Sequence, residues 1–168
     1  MQLRDALKGQ YRAGLAMLAQ SVERCPDDVW AAGPHPRTFW RIAYHTVYYT
    51  HLYLMPKISA FQPWDRHCEH ATVLWDDDES GMPPVQTTYS QGEMLDYIRL
   101  VTQNLDEWVD ALDLESSQSG FPWYPIPKLD HQLLNLRHLG VHAGQLQERL
   151  YEQGIDLDWI SKPPAPAK

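Results

Sequence analysis

The chain has 168 residues, a length that suits a single domain with its own hydrophobic core. Hydrophobic residues make up 43% and charged residues 21%, which is an ordinary globular composition and argues against disorder outside the tail. The formal net charge is −8 and the basic residues are scattered singly, which excludes nucleic acid and an anionic membrane surface as expected partners.

The first half of the chain predicts two helices. Apolar residues recur every three or four positions from Leu3 to Val22, which predicts an amphipathic helix. Residues 27–36 contain aspartate, glycine and proline and are predicted to form a loop. A second helix is predicted from residue 37 or 38 to Pro56. It is apolar nearly all round and should therefore be the most buried helix.

The second half predicts two more helices, separated from the first two by a long irregular connection over residues 62–89. Ser90 and Glu93 have the spacing of a capping box, which predicts the start of a third helix. Residues 120–127 contain three prolines and form a second irregular segment. A fourth helix is predicted over residues 129–153.

These elements predict an all-α protein, because no segment shows the alternation of a strand. Four amphipathic helices of this length favour a four-helix bundle, with the long connection as a crossover. The predicted domain covers residues 1–161, and the Pro/Ala-rich tail 162–168 is expected to be disordered. The sequence has no candidate membrane span and no apparent signal peptide, so a cytoplasmic location is expected.

The fourth predicted helix contains His138 and His142, which lie about 40° apart on one helical face. Two imidazoles at this spacing can bind one metal ion, although an HxxxH pattern also occurs on solvated faces. His131 precedes His138 by two turns and lies on nearly the same face. Gln145 and Arg149 continue that face, so this stripe points either to solvent or to an interior site.

His45 lies in the middle of the most apolar predicted helix. A buried imidazole needs a polar partner, and either one hydrogen bond or a metal shared with a facing helix would satisfy it. His51 is a competing candidate on the same helix. The residue pattern alone does not choose between them.

Two segments resemble a known family. Residues 39–54 resemble the second helix of the DinB/YfiT-like metalloenzymes, and residues 135–146 resemble their metal-binding helix. The resemblance implies a four-helix bundle with a crossover and one divalent ion bound by His45, His138 and His142. It also implies a homodimer, and some members are transferases or isomerases that use low-molecular-weight thiols.

Three histidines with an open fourth position are typical of a catalytic metal site. Neutral imidazoles suit zinc, nickel or iron(II), and we expect zinc, with nickel as the next candidate. Trp123 and Tyr124 are candidates for a hydrophobic wall beside a small-molecule substrate, although core packing is the commoner role of an aromatic residue. The expected function is a metal-dependent enzyme that acts as a thiol transferase or a hydrolase; the alternative is a non-catalytic metal-binding or interaction bundle in which the metal only braces the fold.

The cysteines offer a weaker case for chemistry. Cys25 and Cys68 are far apart and are expected to be reduced thiols. Cys68 lies between His67 and His70, which would suit a reactive thiol, but an inert loop residue is the favoured interpretation. His67 and His70 are also a second candidate metal pair.

Overall fold

The computed structural model describes residues 3–75, 85 and 88–161, and all the regular structure in these ranges is helical. Five α-helices and one short 3-10 turn make up this part: α1 Leu3–Glu23, α2 Asp27–Trp30, α3 Phe39–Tyr53, the turn Ile58–Ala60, α4 Gln91–Ala111 and α5 Lys128–Tyr151. The prediction of an all-α protein with four long helices is confirmed. The prediction that residues 27–36 form only a loop is wrong, because they begin with the single turn of α2.

Local signals explain where the helices begin and end. Ser90 and Glu93 form the predicted capping box: Ser90 Oγ accepts a hydrogen bond from the Glu93 amide at 3.2 Å, and the Ser90 amide donates to the Glu93 carboxylate at 2.9 Å. Helix α3 ends three residues before Pro56, which cannot continue it. As predicted, α3 is buried almost all round, with only Tyr48 and Tyr49 half-buried.

Helix α3 packs against α4 and α5, and α1 packs against the same two helices. Gly14 of α1 allows the close approach to α5, because a Cβ atom there would lie 2.7 Å from Cδ2 of Leu139. Leu139 is almost fully buried in the hydrophobic core. This contact fixes α5 at the turn that carries His138.

Buried polar side chains of α5 fix its position along α3. Gln132 donates to the carbonyl of Tyr53 at 2.8 Å, and Asn135 donates to the carbonyl of Thr50 at 3.2 Å. Hydrogen bonds between fully buried groups are lost if the helices slide, since each donor and acceptor would then be unsatisfied. These bonds therefore set the register between the two helices that carry the histidines.

The irregular segment before α5 is tied to the end of α3 by Lys128. The amine of this buried lysine donates to the carbonyls of Pro56, at 2.9 Å, and Ser119. Gly120 has a φ of +85°, and a Cβ atom at this position would overlap the Pro56 carbonyl oxygen. The carbonyl end of α3 also favours a positive charge, so the lysine suits this position.

Residues 61–75 of the connection between α3 and α4 are irregular, as predicted. They are not detached from the core, because Trp64, Ala71 and Leu74 are buried in it. The acidic run at 76–79 and the predicted tail at 162–168 lie outside the described residues. None of the described helices has both the length and the hydropathy that crossing a bilayer requires.

Candidate metal centre

The structure brings together His45 of α3 with His138 and His142 of α5. Each offers a ring nitrogen, and these three atoms all lie within 4.8 Å of one another. His45 and His138 approach most closely, with 2.9 Å between their Nε2 atoms. His45 is buried, whereas the other two are half-buried. Within the described ranges, this is the only group of three or more potential side-chain ligands.

The spacing suits one small ion. Zinc–nitrogen bonds of 2.0–2.1 Å place the nitrogens of a tetrahedral site ~3.4 Å apart. The ring centroids of His45 and His142 are 4.6 Å apart, and those of His138 and His142 are 4.5 Å apart. Small rotations of the side chains would therefore bring the three nitrogens to ligand distance.

Burial keeps all three imidazoles neutral at pH 7. It lowers the pKa of His45 to about 4 and that of His138 to about 3, because a charged ring would lose its hydration. Burial also lowers the pKa of His142, which is further depressed by the positive charge of Arg37. A neutral imidazole has a free lone pair, so all three residues are in the protonation state that binds a metal.

Two of the three histidines have a hydrogen-bond partner behind the site. His45 Nδ1 donates to the backbone carbonyl of Thr72 at 2.6 Å, which leaves its Nε2 without a proton. His142 Nδ1 lies 2.9 Å from Oε1 of Gln145, and Arg37 donates to the same oxygen at 3.1 Å. Metal-binding histidines commonly have such partners, which fix the ring orientation.

His138 provides the test of whether a metal fits. Its Nδ1 atom is buried and has no hydrogen-bond partner among the described residues. Its Nε2 faces the unprotonated Nε2 of His45, so without an ion His138 must donate a proton to that bond to avoid repulsion between two lone pairs. A divalent ion between the two nitrogens would replace this proton and use both lone pairs, with His142 as a third donor nearby, so the donor set fits such an ion.

A cavity of about 300 Å³ opens beside His138 and His142. Its other lining residues are Tyr124, Leu134, Arg137 and Val141. Tyr124, which the sequence singled out as a possible wall, therefore lies at the site. Trp123 does not line the cavity; it is half exposed and contacts Phe121 instead.

The remaining candidate histidines lie elsewhere. His51 is buried on the α4 side, where its ring stacks on Trp108 with 4.6 Å between centroids. His131 is completely buried against Tyr53 and Phe121, and neither of its ring nitrogens has a hydrogen-bond partner in the described part of the chain. Neither residue belongs to the three-histidine group.

The second candidate pair and the cysteines are also separate from this site. His67 is hydrogen-bonded to the hydroxyl of Tyr44 at 2.6 Å, whereas the backbone carbonyl of His70 accepts a hydrogen bond from Arg41. Both Cys25 and Cys68 are free thiols. Burial raises the pKa of Cys25 to about 12, which suits an inert thiol.

Sequence reasoning missed three contributors to the site. Thr72 contributes only a backbone carbonyl, which leaves no mark on the residue pattern. Tyr49 packs on His45 with 4.7 Å between ring centroids, but it is one of many aromatic residues on α3. Arg37 lies in a loop, and nothing in its neighbourhood indicates a contact with Gln145. Gln145 was already placed on the face of His142 by its spacing of three positions, although its contact with the ring was not predicted.

Comparisons with protein-family models, with curated proteins and with solved structures found no match for this chain. Its function is therefore inferred from the chemistry and geometry of its own residues.

Proposed function

We propose that this protein is a metal-dependent enzyme in which His45, His138 and His142 hold one divalent ion, zinc or nickel, next to a small-molecule substrate. The observation that carries the proposal is the group of three neutral imidazoles beside a cavity, with no fourth His, Cys, Asp or Glu ligand in the group among the described residues. An open coordination position is typical of catalytic rather than structural sites.

The proposed reaction is transfer of a low-molecular-weight thiol to a small electrophile. A bound divalent ion lowers the pKa of a water or thiol that it binds and so supplies a nucleophile at neutral pH. Three neutral ligands leave the ion's positive charge uncompensated, which favours an anion such as a thiolate. The cavity size favours small substrates over polymers.

The residues around the cavity suit an amphipathic substrate. Tyr124, Leu134 and Val141 provide an apolar wall that would exclude water from one side of the reacting groups. Arg137 lines the same cavity and is an exposed cation, so it could bind a carboxylate of the substrate.

The resemblance of residues 39–54 and 135–146 to the DinB/YfiT-like metalloenzymes supports the same proposal. With it we propose that the four long helices form a four-helix bundle in which the connection from α3 to α4 is a crossover. The family resemblance also supports a homodimer.

The test begins with metal analysis of untagged protein, followed by rate measurements with small electrophiles and a panel of low-molecular-weight thiols. Wild-type protein loaded with zinc or nickel should react faster than the His138→Ala variant, and the difference should disappear with a chelator. Equal rates for both proteins across the panel would contradict an enzymatic role. Retention of metal-dependent stability in that case would favour the alternative, in which the ion braces α3 against α5.

A further inference from the structure

The hydrogen-bond chain from Arg37 through Gln145 to His142 determines which nitrogen of His142 carries its proton. A guanidinium group can only donate, so the Gln145 atom 3.1 Å from Arg37 must be the carbonyl oxygen and not the amide nitrogen. The same oxygen lies 2.9 Å from His142 Nδ1. Because an amide oxygen can only accept, Nδ1 must be the protonated nitrogen of the ring.

We propose that Gln145 is a positioning residue of the metal centre and that Arg37 fixes its amide group. Gln145 holds His142 with Nδ1 protonated, so that Nε2 has a free lone pair for the ion. Without Arg37 the amide could turn over, and its NH₂ group would then face the ring and select the opposite tautomer. The inference rests on the proposed function, because the tautomer matters to the site only if Nε2 binds an ion.

The chain also sets the charge of the site. Histidine ligands are often backed by a carboxylate, which raises the basicity of the ring and adds negative charge near the ion. Here the group behind His142 is a neutral amide with a cation behind it, and the group behind His45 is the carbonyl of Thr72. Both partners orient their rings without compensating the charge of the ion, which keeps the open position favourable for an anionic ligand.

The positions of the two residues in the fold explain how this arrangement forms. Gln145 follows His142 by nearly one turn of α5, so their side chains lie on the same face. Arg37 lies two residues before the start of α3 and is half-buried. The bond between Arg37 and Gln145 therefore also connects the beginning of α3 to the metal-binding part of α5.

The tautomer can be measured without any metal by long-range ¹⁵N–¹H NMR of ¹⁵N-labelled, chelator-treated protein. His142 should be protonated at Nδ1 in the wild type and should shift towards the Nε2-protonated form in Gln145→Leu and, to a smaller extent, in Arg37→Met. Gln153→Leu and Arg99→Met are matched controls, because both residues are exposed and outside the site, and they should leave the His142 signals unchanged. An Nε2-protonated His142 in the wild type, or identical tautomers in wild type and Gln145→Leu, would overturn the proposal.

Zinc affinity, measured by competition with a chromophoric chelator, tests the role in the metal centre. Gln145→Leu should weaken zinc binding by about 10- to 100-fold. Gln145→Glu still accepts a bond from Nδ1 and adds a negative charge, so it should bind zinc at least as tightly as the wild type. Weakening by Gln145→Glu equal to that by Gln145→Leu would refute an orienting role. If wild-type protein binds no zinc, the proposed function fails, while the metal-free tautomer still decides whether Gln145 orients His142.

Discussion

Nε2 of His45 lies 2.9 Å from Nε2 of His138, although the two residues are 93 positions apart and belong to different helices. The contact places two potential metal ligands face to face at the junction of α3 and α5. His142, one turn further along α5, completes the group.

Replacing His142 by alanine should abolish stoichiometric metal binding, because only two protein ligands remain. Replacing His131 by alanine should leave the metal content unchanged, since His131 lies in an aromatic pocket away from the site. The measurement is metal content after zinc loading and desalting, with circular dichroism to confirm that both variants are folded. A fully loaded His142→Ala protein would refute the ligand assignment.

Zinc should stabilise the folded protein, because the site that joins α3 to α5 does not exist in the unfolded chain. At a thousandfold excess of zinc over its dissociation constant the gain is roughly 4 kcal/mol. For a chain of this size each kcal/mol raises Tm by ~2–4 °C. Thermal melts with zinc and with chelator should differ accordingly for the wild type and coincide for His138→Ala. A zinc-dependent shift that persists in that variant would point to a different binding site.

Stability should fall as the pH is lowered from about 6.5 to 4, and part of this loss should come from His131. Burial lowers its pKa to about 4, against an ordinary value of 6.5. Between these values the unfolded chain binds the proton and the folded protein does not. The contribution of the neutral His131 ring to the free energy of unfolding is therefore complete above the ordinary pKa and disappears as the pH falls to 4. The lowering of the His131 pKa corresponds to a change of roughly 3 kcal/mol at most in the free energy of unfolding.

Urea denaturation of chelator-treated protein at pH 7.5 and pH 5 measures this effect. His131→Phe keeps a flat ring in the pocket but cannot be protonated, so the difference in unfolding free energy between the two pH values should become smaller. Burial also lowers the pKa of His51 to about 4, and the variant should retain that contribution. An unchanged pH dependence in His131→Phe would show that His131 is not neutral and buried in solution.

Replacing Lys128 by methionine should destabilise the protein by about 2–3 kcal/mol, since buried carbonyls lose their donor. The carbonyls affected are those of Pro56 and Ser119, at the end of α3 and in the segment before α5. Lys57→Met is the control, because Lys57 is exposed and directly follows Pro56 in the chain. Equal urea midpoints for the two variants would argue against a structural role for the Lys128 amine.

The protein is expected to be a homodimer. Several large aromatic residues are exposed in the single chain, including Trp75, Trp123 and Trp159, and aromatic residues are enriched in the cores of interfaces. Light scattering at micromolar concentration should give twice the mass of one chain. A monomer under these conditions would contradict the expectation.

The four long helices could be predicted because each leaves a periodic or capping signal, such as the pair Ser90 and Glu93. The choice between His45 and His51 could not be made from residue pattern, since both lie on the same apolar helix. Only the position of α5 decides it: His45 faces α5, whereas His51 stacks on Trp108 of α4. That position depends on Gly14, Gln132 and Asn135, whose partners are far away in the sequence.

The hydrogen bonds behind the histidines could not be predicted either, for a similar reason. Thr72 acts through its backbone, so its side chain carries no information about the contact with His45. Arg37 lies in a loop 108 positions before Gln145, and no local period connects them. Helix periodicity indicates which face of a helix is buried, but it does not indicate which residue of a distant loop contacts that face.

The distribution of the ligands along the chain also sets when the site can form during synthesis. The ribosome makes the chain from its N-terminus, so α3 and His45 emerge long before His138 and His142 of α5. Until α5 has emerged and docked, His45 is an imidazole on an apolar helix without its partners, and the three-histidine group does not exist. If this group binds an ion as proposed, metal uptake is a late event in biogenesis, and a nascent chain arrested before α5 has no intact site.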